Sequence, residues 1–301
     1  MPNNPFDQAC RYLCKQFGVA MLAWLLRMEP ADFVFRRWLD TKSLSFPGQP
    51  DRTCDTVAHI ENVADGQSPW AVIVEFQIAP DELMFGRCLG YSGPMWIEHK
   101  PSPERGDRYS VGVAVVNLTG RGNTARDMHW PKAGFRTTVQ PVERNLAFES
   151  ASALVADVEA GRAPRAALAF VPLMQGGAGA DIIAKWKELA TAEPDVVARS
   201  DYGGLAVIFA GATDGKEIWK EALKEWDMVH SAIVDEWRKE GITTGNIRLI
   251  SRALVIRFGP LPAEVASQLQ SLPPTADFDA IFDRAMLAAT LNEFRAALPP
   301  K

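Results

Sequence analysis

Apolar residues open the chain at helical spacing. Phe6, Cys10, Leu13, Cys14 and Phe17 fall on one helical face, and Met21 to Met28 extends or follows that helix. Pro30 and Pro47 punctuate a second, short helix over Phe33 to Leu39. The period then shortens. Lys42–Phe46, Thr53–Ile60 and Trp70–Gln77 read as strands, with Ala64-Asp65-Gly66-Gln67 as a hairpin-like turn between the last two. Ala71-Val72-Ile73-Val74 is an unbroken apolar run, the mark of a strand buried on both faces. Pro80 and Asp81 start a helix that puts Met84, Cys88, Tyr91 and Met95 on one face, and Ser110–Leu118 is another apolar strand. Helix, three strands, helix, strand is the order of a small mixed α/β core.

Beyond it, Arg144–Phe148 and Ala166–Met174 read as strands and Asp181–Ala190 as a helix. Leu205–Ala210 reads as a further strand. Trp219, Leu223 and Trp226 mark a helix running on towards Trp237. From Ile247 the pattern is helical, broken at Gly259-Pro260-Leu261-Pro262, and Phe278, Ile281, Phe282, Ala285, Met286 and Ala289 form an apolar stripe. Three regions are expected: an α/β core over 1–130, a mixed α/β extension over 131–245 and a helical C-terminal domain over 246–301.

The chemistry gathers at the end of the buried strand. Glu75 and Gln77, two residues apart, point to one side of it. Asp55 lies on the preceding strand. Burying acids is costly unless a metal or a paired donor compensates, so Asp55, Glu75 and Gln77 look like a site. On the following helix Arg87 and Tyr91 are neighbours, four residues apart. They form either a phosphate contact and its orienter, or a cation packed on an aromatic ring. His59, on the Asp55 strand, reads as a strand residue rather than a ligand.

A length of 301 residues suffices for a sizeable core. The net charge of -5 and pI near 5.5 give no global basic footprint, which counts against nucleic-acid binding unless a basic surface is local. Residues 1–130 carry 13 Lys and Arg against 15 Asp and Glu, and the remainder 19 against 22, so neither part is basic. Binding must rely on clustering, with Arg36, Arg37, Arg52, Arg87, Lys100, Arg105 and Arg108 as candidates. Cys10, Cys14, Cys54 and Cys88 form no CxxC pair and read as small apolar core residues in a reducing compartment. Val19–Leu26 is too short to span a bilayer, so no membrane association and a cytoplasmic location are expected. Gly176-Gly177-Ala178-Gly179 and the P-loop-like Gly211–Glu217 each depart from their motif and read as plain loops. Trp186, Trp219, Trp226 and Trp237 read as core.

The segment RTCDTVAHIEN, followed by WAVIVEFQIAPDELMFGRCLGYSGPMW, resembles the Rpn or YhgA-like transposase-associated nucleases of the PD-(D/E)XK superfamily. The run EWRKEGITTGNIRLISRALVIRFGPLPAEVASQLQSL is similar to a small helical domain that often follows such nucleases. The resemblance implies a restriction-endonuclease-like αβββαβ core and metal-dependent hydrolysis of DNA. Asp55 and Glu75 would bind Mg²⁺ or Mn²⁺, helped by the backbone carbonyl of Phe76. Arg87 and Tyr91 would support the site, and an acid of the N-terminal helix, best matched by Asp7, would contribute. Gln77 stands where many members have Lys; an amide orients water but supplies no charge and takes no proton, which leaves the base unassigned. A homodimer is one assembly open to it. The competing readings are a nuclease-fold protein acting without catalysis in nucleic-acid binding or assembly, and a nucleotide-binding enzyme using the Gly-rich loop.

Overall fold

The computed structural model describes residues 5–40, 45–46, 49–102, 106–273, 275–296 and 298. β-branched and apolar residues build its central strand, β5 (Ser68–Gln77), which is buried without a break from residue 71 to 76. Before it come α1 (Pro5–Leu26), β1 (Phe33–Leu39), the β2 (Ser45–Phe46) and β3 (Gln49–Thr53) hairpin, and β4 (Thr56–Asn62). After it come α2 (Met84–Glu98) and β6 (Ser110–Asn117), then the hairpin of β7 (Arg126–Trp130) and β8 (Phe135–Val139), and β9 (Val142–Asn145). The main sheet has the order β1-β4-β5-β6-β9. β1, β4 and β5 are antiparallel, with the β4–β5 turn at the expected place, where Gly66 and Gln67 both have positive φ. β5, β6 and β9 run parallel, so Gln77, Asn117 and Asn145 line up at their carboxyl ends. The α2 face is closed by Tyr91 and Met95, which join Val57, Ala71 and Ile73 in one apolar cluster.

A helical layer follows: α3 (Ala151–Glu159), α4 (Ala180–Thr191), α5 (Val196–Ala210) and α6 (Lys216–Ala222). α1 ties this layer to the sheet. Tyr12 donates a hydrogen bond to the fully buried Asp201 of α5, which also accepts one from Ser231 at 2.7 Å. At the other end of α1, Arg144 of β9 stacks on Trp24, 3.7 Å from the ring centre, and donates to the Trp24 carbonyl at 2.9 Å. All four cysteines are buried and unpaired, as expected of core residues.

The chain divides into two compact units, residues 1–231 and 232–301. The second consists of α7 (Ala232–Phe258), α8 (Ala263–Gln270), α9 (Phe278–Leu287) and α10 (Leu291–Ala296) around Ile250, Leu254, Leu269, Ile281 and Phe294. Phe278, Ile281 and Ala285 of the expected stripe are buried there. No helix among the described residues is long and apolar enough to cross a membrane.

Several expectations are corrected. Phe33–Leu39 is the strand β1, not a helix; a bulge between Phe35 and Arg37 breaks its alternation and mimics helical spacing. Asp55 lies just ahead of β4 rather than within it, and the strand placed at Lys42–Phe46 lies partly outside the described residues. Arg144–Phe148 divides into the end of β9 and a one-turn 3₁₀ helix over Leu146–Phe148. Ala166–Met174 is no strand either: Arg165–Leu173 forms a 3₁₀ helix, buried over 166–173. Leu205–Ala210 is the last part of α5. The first run is buried throughout and the second at all but Val207 and Ile208, and a continuous apolar run does not reveal its period. The helix through Trp219 stops at Ala222 and a separate one starts at Ala232. The boundary expected at 130 falls inside the β7–β8 hairpin, β9 beyond it belongs to the main sheet, and the boundary at 245 falls inside α7.

Candidate active site

The end of β5 meets the start of β4 in a reciprocal pair of hydrogen bonds. The Asp55 backbone N–H donates to Glu75 Oε1 at 3.2 Å, and the Phe76 N–H donates to Asp55 Oδ2 at 2.8 Å. Strand pairing alone therefore brings the two acids together. Each is also met by a guanidinium. Arg11, one turn after Asp7 on α1, donates to Asp55 Oδ1 at 2.9 Å. Arg87 of α2 donates through Nη2 to Glu75 Oε2 at 2.7 Å and to the Tyr91 hydroxyl at 3.3 Å. Its Nη1 reaches Asp81 Oδ2 at 3.1 Å and Gln77 Oε1 at 3.3 Å. Glu75 and Gln77 thus share a side of the strand, as their spacing requires, and the Gln77 amide also reaches Glu75 Oε2 at 3.5 Å.

Burial sets the protonation. Glu75 is fully buried, and this, with the neighbouring Asp55 charge, pushes its pKa up to about 8 against the pull of Arg87. Asp7 rises to about 6 through burial and the Asp55 charge, opposed by Arg11 and Arg87. Four carboxylates, Asp7, Asp55, Glu75 and Asp81, face two guanidiniums.

This oxygen-rich, net acidic set suits a hard divalent cation such as Mg²⁺ or Mn²⁺. Asp55 and Glu75 would hold it, completed by backbone or water oxygens. Among the described residues no three His, Cys, Asp or Glu side chains form a ready metal cluster. Arg11, whose side chain is 40% exposed, is the cation on Asp55 that a metal would displace or share with. Arg87 is buried and committed to Glu75, Asp81, Gln77 and Tyr91, so it orients the site.

Asp7, Asp55, Glu75, Gln77, Arg87 and Tyr91 thus all come together. Phe76 enters through its N–H. Sequence reasoning missed Arg11 and the role of Asp81; the signal for Arg11 was its place four residues after Asp7. No family model, curated protein or solved structure matches this chain.

Several other candidates have surroundings of their own. Arg36 pairs with Glu61 at 2.6 Å, and Arg108 caps carbonyls at the end of α2 and lies over the Trp96 ring. Arg105 lies outside the described residues. His59 is packed, with Nδ1 3.2 Å from the Tyr109 hydroxyl. Gly177 lies so close to the Val171 carbonyl that a Cβ would come within 2.0 Å, a packing reason for that glycine. Trp186 and Trp219 are buried and meet edge to face.

Proposed function

We propose that this chain is a metal-dependent DNA endonuclease of the PD-(D/E)XK kind, with Asp55 and Glu75 as metal ligands. The observation that carries the reading is the convergence of Asp7, Asp55, Glu75 and Gln77, from three separate elements, at the carboxyl end of β5. The order helix, three antiparallel strands, helix, parallel strand supports it, since it is the order the resemblance implies. When bound, the cation would lower the pKa of a water and offset phosphate charge. Asp7, with its pKa near 6, is ionised at neutral pH and is the proton acceptor of the site. Gln77 orients the water and Glu75 through its amide, and Arg87 fixes the Glu75 rotamer.

Supercoiled plasmid nicking with Mg²⁺ or Mn²⁺ tests this. Glu75→Gln keeps an acceptor for Arg87 but removes the charge, and is expected to lower the rate by about two orders of magnitude or more, the scale of removing a preorganised electrostatic group. Equal rates for variant and wild type would discard the metal assignment. A second reading, DNA binding or assembly without catalysis, is favoured by the guanidinium on each acid and by the neutral Gln77. Oligonucleotide binding without any metal-dependent nicking would select it.

A further inference from the structure

We propose that the β7–β8 hairpin engages unpaired bases of DNA: Trp130 and Phe135 stack on them, while Arg121 and Arg126 hold the adjoining phosphates. The inference rests on the nuclease reading for its choice of DNA as ligand. It names the substrate class as DNA with unpaired bases beside the scissile phosphate, such as a fork, flap or single strand.

Strand alternation sorts the hairpin into two faces. One carries Arg126, Met128 and Trp130 opposite Val139, Thr137 and Phe135. Its root is anchored, because Val139 packs against the cluster of Met84, Cys88 and Val115. Its tip is not: Met128, Trp130 and Phe135 are 51%, 61% and 66% exposed, with the two rings edge to face at 6.0 Å. Two large aromatics held at a hairpin tip without cover are costly in water and call for an occupant.

Charge identifies that occupant. From Arg121 to Arg136 the chain has four Arg and Lys residues against the single Asp127, a net of +3 in a protein of net -5. Asp127 is taken up by Arg136 and Thr138. A protein-docking patch is depleted of charge at its centre, whereas here the two rings share their face with Arg126 and the connecting turn carries Lys132. Aromatic platforms with interleaved cations are how proteins hold single strands, since every base has a stackable face and the cations follow the backbone.

Position links the hairpin to the site. Arg126 at its root also lines a cleft of about 570 Å³ together with Asp81, Asn117, Arg121 and Asn123. Asp81 is the residue that pairs with Arg87, which in turn holds Glu75. Asp81 thus belongs both to the cleft wall and to the ion-paired set that holds Glu75. Trp130 and Phe135 reach base faces only where the bases are not already stacked in duplex.

The test is fluorescence anisotropy on the full chain at low salt, with Ca²⁺ as a non-catalytic ion. The probes are labelled oligo-dT, a forked duplex and a blunt duplex of equal length. Wild type is expected to prefer oligo-dT and the fork. The Trp130→Ala, Phe135→Ala double variant should weaken those two roughly five- to 150-fold, the range for one base stack, and leave the blunt duplex unchanged. Arg126→Ala should weaken all three and lower the salt slope by about one. Unchanged binding of every probe by the double variant would overturn the proposal. So would a protein dimer that this variant dissolves, with no oligonucleotide bound by wild type. Wild type that prefers the fork through its hairpin but never nicks DNA ends the nuclease reading alone; nicking with hairpin-independent binding ends this inference alone.

Discussion

Glu75 combines complete burial, an adjacent acid and a buried cation, and these fix how it responds to substitution and to pH. Glu75→Ala leaves Arg87 buried beside an empty site. Leaving a buried donor without its acceptor costs about 1–3 kcal/mol, and the low end is expected here because Asp81 and Tyr91 remain. Urea unfolding of the Ala and Gln variants separates this structural loss from the catalytic one. The raised pKa values of Asp7 and Glu75 mean that folding favours their protonated forms. Their stabilising contribution is full below the ordinary carboxylate values and is lost as pH rises through about 6 and then about 8. Stability of the metal-free protein is therefore expected to fall over that window, and Ca²⁺ to restore most at the alkaline end. Calorimetry in buffers of different ionisation enthalpy should record proton release on metal binding at pH 7. For the reaction, kcat/KM should rise through about pH 6, a limb that Asp7→Asn removes. Asp7 entered only through the resemblance, whereas Glu75 and Gln77 were legible in the sequence because a strand end and period-two alternation are local rules. Arg11 was not, because its partner is 44 positions away and only the folded chain brings them together.

At the scale of elements, α2 was legible from its helical spacing, and β4, β5 and β6 from short β-branched apolar runs bounded by turn residues. β1 was not: a single bulged residue shifts its alternation. The 3₁₀ helix at Arg165–Leu173 was missed because burial on every side erases amphipathicity, and the end of α5 because its last residues are apolar without a break and show no period. The loop after β6 is set by polar pairing that no apolar pattern announces. Gly122 donates to Asn145 Oδ1 at 2.7 Å, and Thr124 binds Glu143 through N–H and hydroxyl. A Cβ on Gly122 would lie 2.3 Å from Asn117 Nδ2 and 2.5 Å from Glu143 Oε1. Gly122→Ala must push these apart, so a loss of about 1–3 kcal/mol is expected in chemical denaturation.

For the molecule as a whole, acidic composition hid a local basic stretch, and the division into units does not follow the composition of the chain. A protein ending at Ser231 keeps the Ser231–Asp201 bond and every element of the first unit. It is expected to stay folded by circular dichroism and to retain single-turnover cleavage. Ending at residue 246 instead cuts α7 and strips its first half of the apolar partners from Ile250 onward, so that stretch should be removed quickly by protease. A folded 1–231 protein that binds DNA but no longer cleaves it would mean that the second unit supplies chemistry. The α1 helix has a wider consequence. Asp7, Arg11 and Tyr12 share the part of α1 that precedes its break at Gly18, and Tyr12 is moored to Asp201 deep in the helical layer. The protonation of Asp7 therefore doubles as a gauge of packing far from β5. Slackening that mooring, as in Asp201→Asn, is expected to tilt this segment and to displace the pH at which Asp7 titrates, so the proposed site answers to packing in the helical layer as well as to its own residues.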